Sequence, residues 1–272
     1  MVTIIAEAGK NYITQEKPQP LEELLSNAKA LALEAKQCGA TIVKYQTHYN
    51  DELSQRHESR HAWIERNVLP LKDFWIPLKE YCDEIEIEFL STPMSLGAAT
   101  MIEPLVKRWK IGSGNNIDWP LLDYVCKTDK PVIISTGMST GQEVTQMVNY
   151  VRTRTTNFTI MHCTSEYPLP DHKADLRMIR EYEWKYQAEI GCSDHTKSVW
   201  VPAIAYALGA KVIEKHFTLN HDDWGPDHKI SLLPGEFQQM VNNIKFVESV
   251  LGQTVKGVSH KEKELRKIFK PI

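Results

Sequence analysis

Two histidines, two lysines and three carboxylates stand out because each sits at the edge of an apolar run rather than in a solvated stretch. His195 in SDHT and His216 in EKHF close successive apolar segments and could meet at one point. Two imidazoles with open remaining positions suit a divalent first-row ion such as Mn2+, Fe2+, Co2+ or Zn2+. A general base, or a pair of core histidines bonded to backbone, are the competing readings. Lys44 in IVKYQ and Lys110 in RWKIG are embedded in β-branched runs, where an inward ammonium must be paired. With the hydroxyls of Thr92, Ser113, Ser135 and Ser193 they describe a site for a ligand carrying both a phosphate and a carboxylate. The small residues of GSG (112–114) and STGMST (135–140) let backbone amides approach such an anion. Glu7, Glu214 and Asp227 are the acidic candidates. The Gly-Pro turn in DDWGPDHKIS is expected to present Asp227 and His228 to the same place. Trp224 beside it reads as a sugar platform or a packing residue, and His162 as a buried structural histidine.

Something must bring these residues together. Candidate strands cover 2–9, 40–47, 87–92, 108–114, 131–137, 158–164, 188–194 and 211–217, each followed by a helical pattern. The first helix, LEELLSNAKALALEAKQCG, has apolar positions at i, i+3, i+4 and i+7 and stops at Gly39. The last, PGEFQQMVNNIKFVESVLG, carries Pro234 near its start and Gly252 past its end. Eight βα units in series predict a (β/α)8 barrel, a TIM barrel of class α/β, spanning 1–252. A doubly wound open sheet is the rival, but AEAGKN after the first strand is not its glycine fingerprint. In a barrel the strand C-termini converge on one face, which carries the active site. The loops at 10–20 and 48–70 would lie on that face and cover its mouth.

With a formal net charge of -3 the chain carries no nucleic-acid footprint, and no apolar run is long enough to span a bilayer. The start, MVTIIAEAG, reads as a strand rather than a signal peptide. Cys38, Cys82, Cys126, Cys163 and Cys192 are scattered without a C-x-x-C pair, as in a reduced, cytoplasmic protein. Residues 253–272 read as a basic, polar tail.

The segments AEAGKN, VKYQTH, FLSTP, KIGSGN, ISTGMST, HCTSEYP, GCSDHT, IEKHF and GPDHKISL resemble, in order, those of the N-acetylneuraminate (sialic acid) synthase family. The resemblance implies condensation of phosphoenolpyruvate with the open-chain aldehyde of an N-acetylhexosamine such as N-acetylmannosamine. It implies a divalent metal, often Mn2+, with Mg2+, Co2+, Fe2+ and Zn2+ as alternatives. His195 and His216 would ligate it. Lys44, Thr92, Lys110, Ser113, Ser135 and Ser193 would hold phosphoenolpyruvate, with Lys110, Glu7 and Glu214 counted as catalytic. Gln46, Tyr167 and Asp227 would face the sugar, together with Asn115, which stands where family members usually carry a carboxylate. Ser165 replaces a frequent asparagine. Members typically continue into an antifreeze-like domain that reaches over a partner barrel. This sequence ends at Ile272, so the barrel domain alone is expected, with a homodimer as the implied assembly. Rival readings are a synthase using a phosphorylated aldose, for which Arg56, Arg60 and Arg66 are the available cations, a ligand-binding barrel without catalysis, and a metal-dependent hydrolase.

Overall fold

The computed structural model describes residues 2–252 and 255–270. Its β-branched runs form β1 (Thr3–Gly9), β2 (Ile42–Thr47), β3 (Glu88–Pro93), β4 (Trp109–Ile111), β5 (Val132–Ser135), β6 (Phe158–Cys163), β7 (Glu189–Asp194) and β8 (Val212–His216). Each falls inside or within a residue of its expected segment. The ladders are parallel, in the order β3-β2-β1-β8-β7-β6-β5-β4. The end strands β3 and β4 pack against each other, so the sheet curls into a barrel instead of remaining open.

Helices α1 (Leu21–Gln37), α2 (His61–Asn67), α3 (Ile76–Glu84), α4 (Leu96–Ile102), α5 (Trp119–Cys126), α6 (Gly141–Arg152), α7 (Arg177–Tyr186), α8 (Val201–Ala207), α9 (Pro234–Leu251) and α10 (His260–Phe269) complete the described chain. Helix α1 buries Leu24, Ala28, Leu31 and Ala35, the stripe its periodicity predicts. The segment 48–70 departs from expectation. It is not irregular loop throughout, but holds 3-10 turns at Asn50–Ser54 and Glu58–Arg60 and then α2. The described part of the tail includes α10, which buries none of its residues. Residues 253, 254, 271 and 272 of that tail lie outside the described residues.

Strand period two sorts the barrel interior into layers. Ile5, Ile42, Leu90, Ile133, Met161 and Val212 form an apolar plug. Two residues further along their strands come Glu7, Lys44, Thr92, Ser135, Cys163 and Glu214, so the polar layer stands directly on the apolar one. Gly191 belongs to the plug level. A Cβ there would lie 2.2 Å from Met161 Sδ and 2.6 Å from the Val212 carbonyl, so only glycine fits. The opposite strand faces bury Ile4, Ala6, Val43, Phe89 and Ile213 in the main hydrophobic core.

Candidate active site

The polar layer opens into a cavity of about 240 Å³ at the C-terminal mouth of the barrel. Apart from Asn115, His228 and Trp224, the site residues expected from the sequence line it. Lys44 Nζ pairs with the Glu7 carboxylate, donates to Thr92 Oγ1 at 3.0 Å and lies 3.7 Å from Glu214 Oε2. Lys110 Nζ donates to Ser135 Oγ at 2.7 Å and lies 3.6 Å from Glu214 Oε1. Glu214 therefore sits between two ammonium groups, and it also accepts from Ser193 Oγ at 2.9 Å. Gln46 Nε2 donates to Glu7 Oε1 at 3.0 Å.

Burial and charge compete here. Burial opposes ionisation of Glu214, but Lys110 and Lys44 outweigh it and hold the carboxyl below its ordinary range. For Lys44, burial disfavours the cation, yet Glu214 and Glu7 reverse the sign and raise its pKa. For Lys110 burial prevails over Glu214 and the pKa falls. The two lysines are thus electrostatically distinct although both are buried.

The imidazoles of His195 and His216 face each other with centroids 5.5 Å apart. His195 Nδ1 bonds to the Thr164 carbonyl at 2.8 Å, which fixes its tautomer and leaves Nε2 as the free lone pair. Burial, with His216 close by, drives the His195 pKa down to about 3, so the ring is neutral. Buried His216 Nδ1 has no hydrogen-bond partner among the described residues, and Asp227 Oδ2 lies 3.9 Å away. A neutral ring with a fixed tautomer and a second ring with an orphaned nitrogen are a donor set that fits a divalent ion. No group of three or more His, Cys, Asp or Glu side chains among the described residues forms a complete cage. Tyr167 lies against His195, centroids 4.2 Å apart, and is half exposed at the mouth.

Two expectations need correction. Asn115 is buried beside the cavity without lining it. Its Nδ2 donates to the Met94 carbonyl and Asp118 Oδ2, both at 3.3 Å, and its Oδ1 accepts from Arg56 at 2.9 Å. His228 does not face the cavity either, because its nitrogens are taken by Thr218 Oγ1 at 2.7 Å and the Ile13 carbonyl at 3.1 Å. Asp194, flanking His195, points outward and pairs with Lys215 at 2.5 Å. His162 is structural, as expected, with Nε2 on the Ala174 carbonyl at 2.7 Å. Trp224 packs with Arg66, which lies over its ring at 4.5 Å, and with Trp63 at 5.9 Å. These rings border a second cleft of about 600 Å³, lined also by Arg60, Asp222, Asp223 and Lys229.

The sequence reading missed Cys163, Met94 and Met138 in the cavity wall, and Asn116, whose Nδ2 holds the Ser135 carbonyl at 3.0 Å and Ser139 Oγ at 2.8 Å. Only Cys163 carried a signal, since it shares the inward parity of Met161 on β6. It also missed Lys10, which is buried and whose Nζ has no partner among the described residues.

The closed barrel thus carries two buried lysines and two imidazoles at its C-terminal mouth, the set its relatives must be compared with. The NeuB family model matches residues 31–256, and the chain belongs to the NeuB family. It is 38% identical over 92% of its length to an uncharacterised protein of Methanocaldococcus jannaschii, of which it covers 72%. It is 32% identical over 96% of its length to N,N'-diacetyllegionaminic acid synthase of Campylobacter jejuni, covering 80% of that protein. Among solved structures it resembles the sialic acid synthetase of Leptospira borgpetersenii in complex with citrate, with a TM-score of 0.87 and 28% identity. That match covers 98% of this chain and 90% of the other.

Proposed function

We propose that the chain condenses phosphoenolpyruvate with the open-chain aldehyde of an N-acetylated hexosamine, forming a nonulosonic acid and releasing phosphate. One observation carries the reading: Glu214 held between Lys44 and Lys110, beside a facing pair of histidines. Ammonium groups and hydroxyls match a phosphate and a carboxylate on one small molecule, while free imidazole nitrogens match a metal.

Lys44, Lys110, Thr92, Ser135 and Ser193 bind and orient phosphoenolpyruvate by charge-assisted hydrogen bonds. Ser113 joins them, its Oγ set by the Gly137 N–H at 3.0 Å. His195 Nε2 and His216 would hold a divalent ion, whose contribution there would be Lewis acidity toward the aldehyde oxygen. Gln46, Asp227 and Tyr167 orient the acceptor so that C3 of phosphoenolpyruvate faces the aldehyde carbon. As that bond forms, C2 gains positive character, which the Glu7 and Glu214 side chains stabilise. Water adds at C2, and the C2–O bond to phosphate then breaks as the 2-oxo group forms. One proton of the water ends on the new hydroxyl and the other on phosphate, whose charge the lysines already face.

Mass spectrometry of products from phosphoenolpyruvate and a mixture of N-acetylated hexosamines, with and without chelator, tests the proposal. The expected product is the adduct less phosphate, lost on chelation and restored by Mn2+. Turnover unaffected by chelator would remove the role given to His195 and His216, and a product retaining phosphate would refute C2–O cleavage.

A further inference from the structure

The residues lining the cavity are not positive enough for the anion they are built to hold. Two lysines, Lys44 and Lys110, face three carboxylates, Glu7, Glu214 and Asp227, which leaves 2 − 3 = −1 even with both ammonium groups charged. A divalent ion on the imidazoles brings the count only to +1. A phosphate monoester that also carries a carboxylate brings roughly −2.5 to −3. Hydroxyls and amides can solvate that charge but cannot balance it.

A further cation waits at the rim. Arg56 is half-buried in the β2–α2 segment, and its Nη2 donates to Asn115 Oδ1 at 2.9 Å. That amide oxygen is the only side-chain partner of the guanidinium among the described residues. The amide orientation is forced, because a guanidinium only donates and Asn115 Nδ2 is turned to the Met94 carbonyl. Asn115 follows directly on Gly112–Gly114, which line the cavity together with Met94. Arg56 is thus parked beside the anion cradle by a neutral partner that holds it without neutralising it. Its other N–H groups form a fork suited to a phosphate.

We infer that Arg56 is a phosphoenolpyruvate-binding residue, moving from Asn115 onto the phosphate as the ligand enters, with Asn115 as its resting partner. This rests on the function proposed above and adds to it a residue supplied by the mouth-covering segment rather than by the strands. Arg60 provides the contrast, being exposed along the second cleft away from Gly112–Gly114.

Calorimetric titration with phosphoenolpyruvate, paired with KM values for both substrates in turnover, tests the assignment. Arg56→Gln should weaken phosphoenolpyruvate binding about ten- to a hundred-fold, as loss of a charge-assisted hydrogen bond does. Arg56→Lys should fall between the two, and Arg60→Gln should match wild type. The acceptor KM should stay within about two-fold, and the salt dependence of phosphoenolpyruvate binding should become shallower. Asn115→Asp keeps Arg56 but gives it a carboxylate partner, and should also weaken phosphoenolpyruvate. Unchanged affinity in Arg56→Gln overturns the inference, as does a loss confined to the acceptor KM, which would assign Arg56 to an anionic acceptor. Wild-type protein that neither binds phosphoenolpyruvate nor releases phosphate from it overturns the parent reading and this one together.

Discussion

Strands β7 and β8 carry buried charge on both faces, and the two faces treat it differently. Inward, Ser193, Glu214 and His216 belong to an open network in which Glu214 is shared by two lysines and His216 Nδ1 is unsatisfied. Outward, Lys215 Nζ meets Asp194 Oδ2, the Thr196 carbonyl and Thr196 Oγ1, while Asp194 Oδ1 accepts the Thr196 N–H at 2.9 Å. The outer group is closed: its donors and acceptors are matched within the protein. The inner one keeps capacity in reserve, as a ligand site must. Residues adjacent in sequence thus divide between stability and chemistry by parity alone.

The sharpest test breaks the closed group. Lys215→Met should destabilise the fold by about 3–5 kcal/mol, because Asp194 is left as an unpaired buried charge. Chemical denaturation would measure this, and activity per folded molecule should be retained. Lys110→Met should do the reverse, lowering kcat by roughly 10²–10³-fold with little change in melting temperature. A large stability loss in that variant would mean that the inner network is structural as well.

A titratable pair extends the comparison. His48 Nδ1 bonds Glu52 Oε2 at 2.9 Å, and burial, followed by Lys10, pushes the imidazole down to about 4. Between pH 6.5 and about 4 the unfolded chain binds this proton and the folded one does not, so stability falls as pH falls through that window. His48→Gln should reduce the slope of stability against pH there by up to about 1.4 kcal/mol per unit. The smallest expected effect is at the inner network's edge. Ser193→Ala removes one donor from Glu214 and should lower kcat/KM by about three- to ten-fold, with wild-type stability.

Much of this architecture was legible beforehand. Eight β-branched runs and their helices predict the barrel, and strand ends predict the mouth, because both depend on local periodicity. Period-two arithmetic even separates Glu214 from Lys215 once a strand is placed. The same arithmetic turns Asp194 away from inward Ser193 and out of the barrel interior. The contacts of Asn115 and His228 could not be read, since their partners Arg56 and Ile13 lie 59 and 215 residues away in sequence. Chain proximity says nothing about such pairs. The short helices inside 48–70 escaped for another reason: seven polar-rich residues of α2 carry too little periodicity to stand out.

Arg66 reaches further than its packing suggests. It donates to the backbone carbonyls of Gln15, Glu16 and Lys17 and lies over Trp224, so segments following β1, β2 and β8 meet at one side chain. Segments fastened at a common point cannot open independently. The three segments should then open in one cooperative fluctuation, and amide hydrogen exchange across them should report one shared opening rate. Cutting the fastening with Arg66→Ala should split that rate into three.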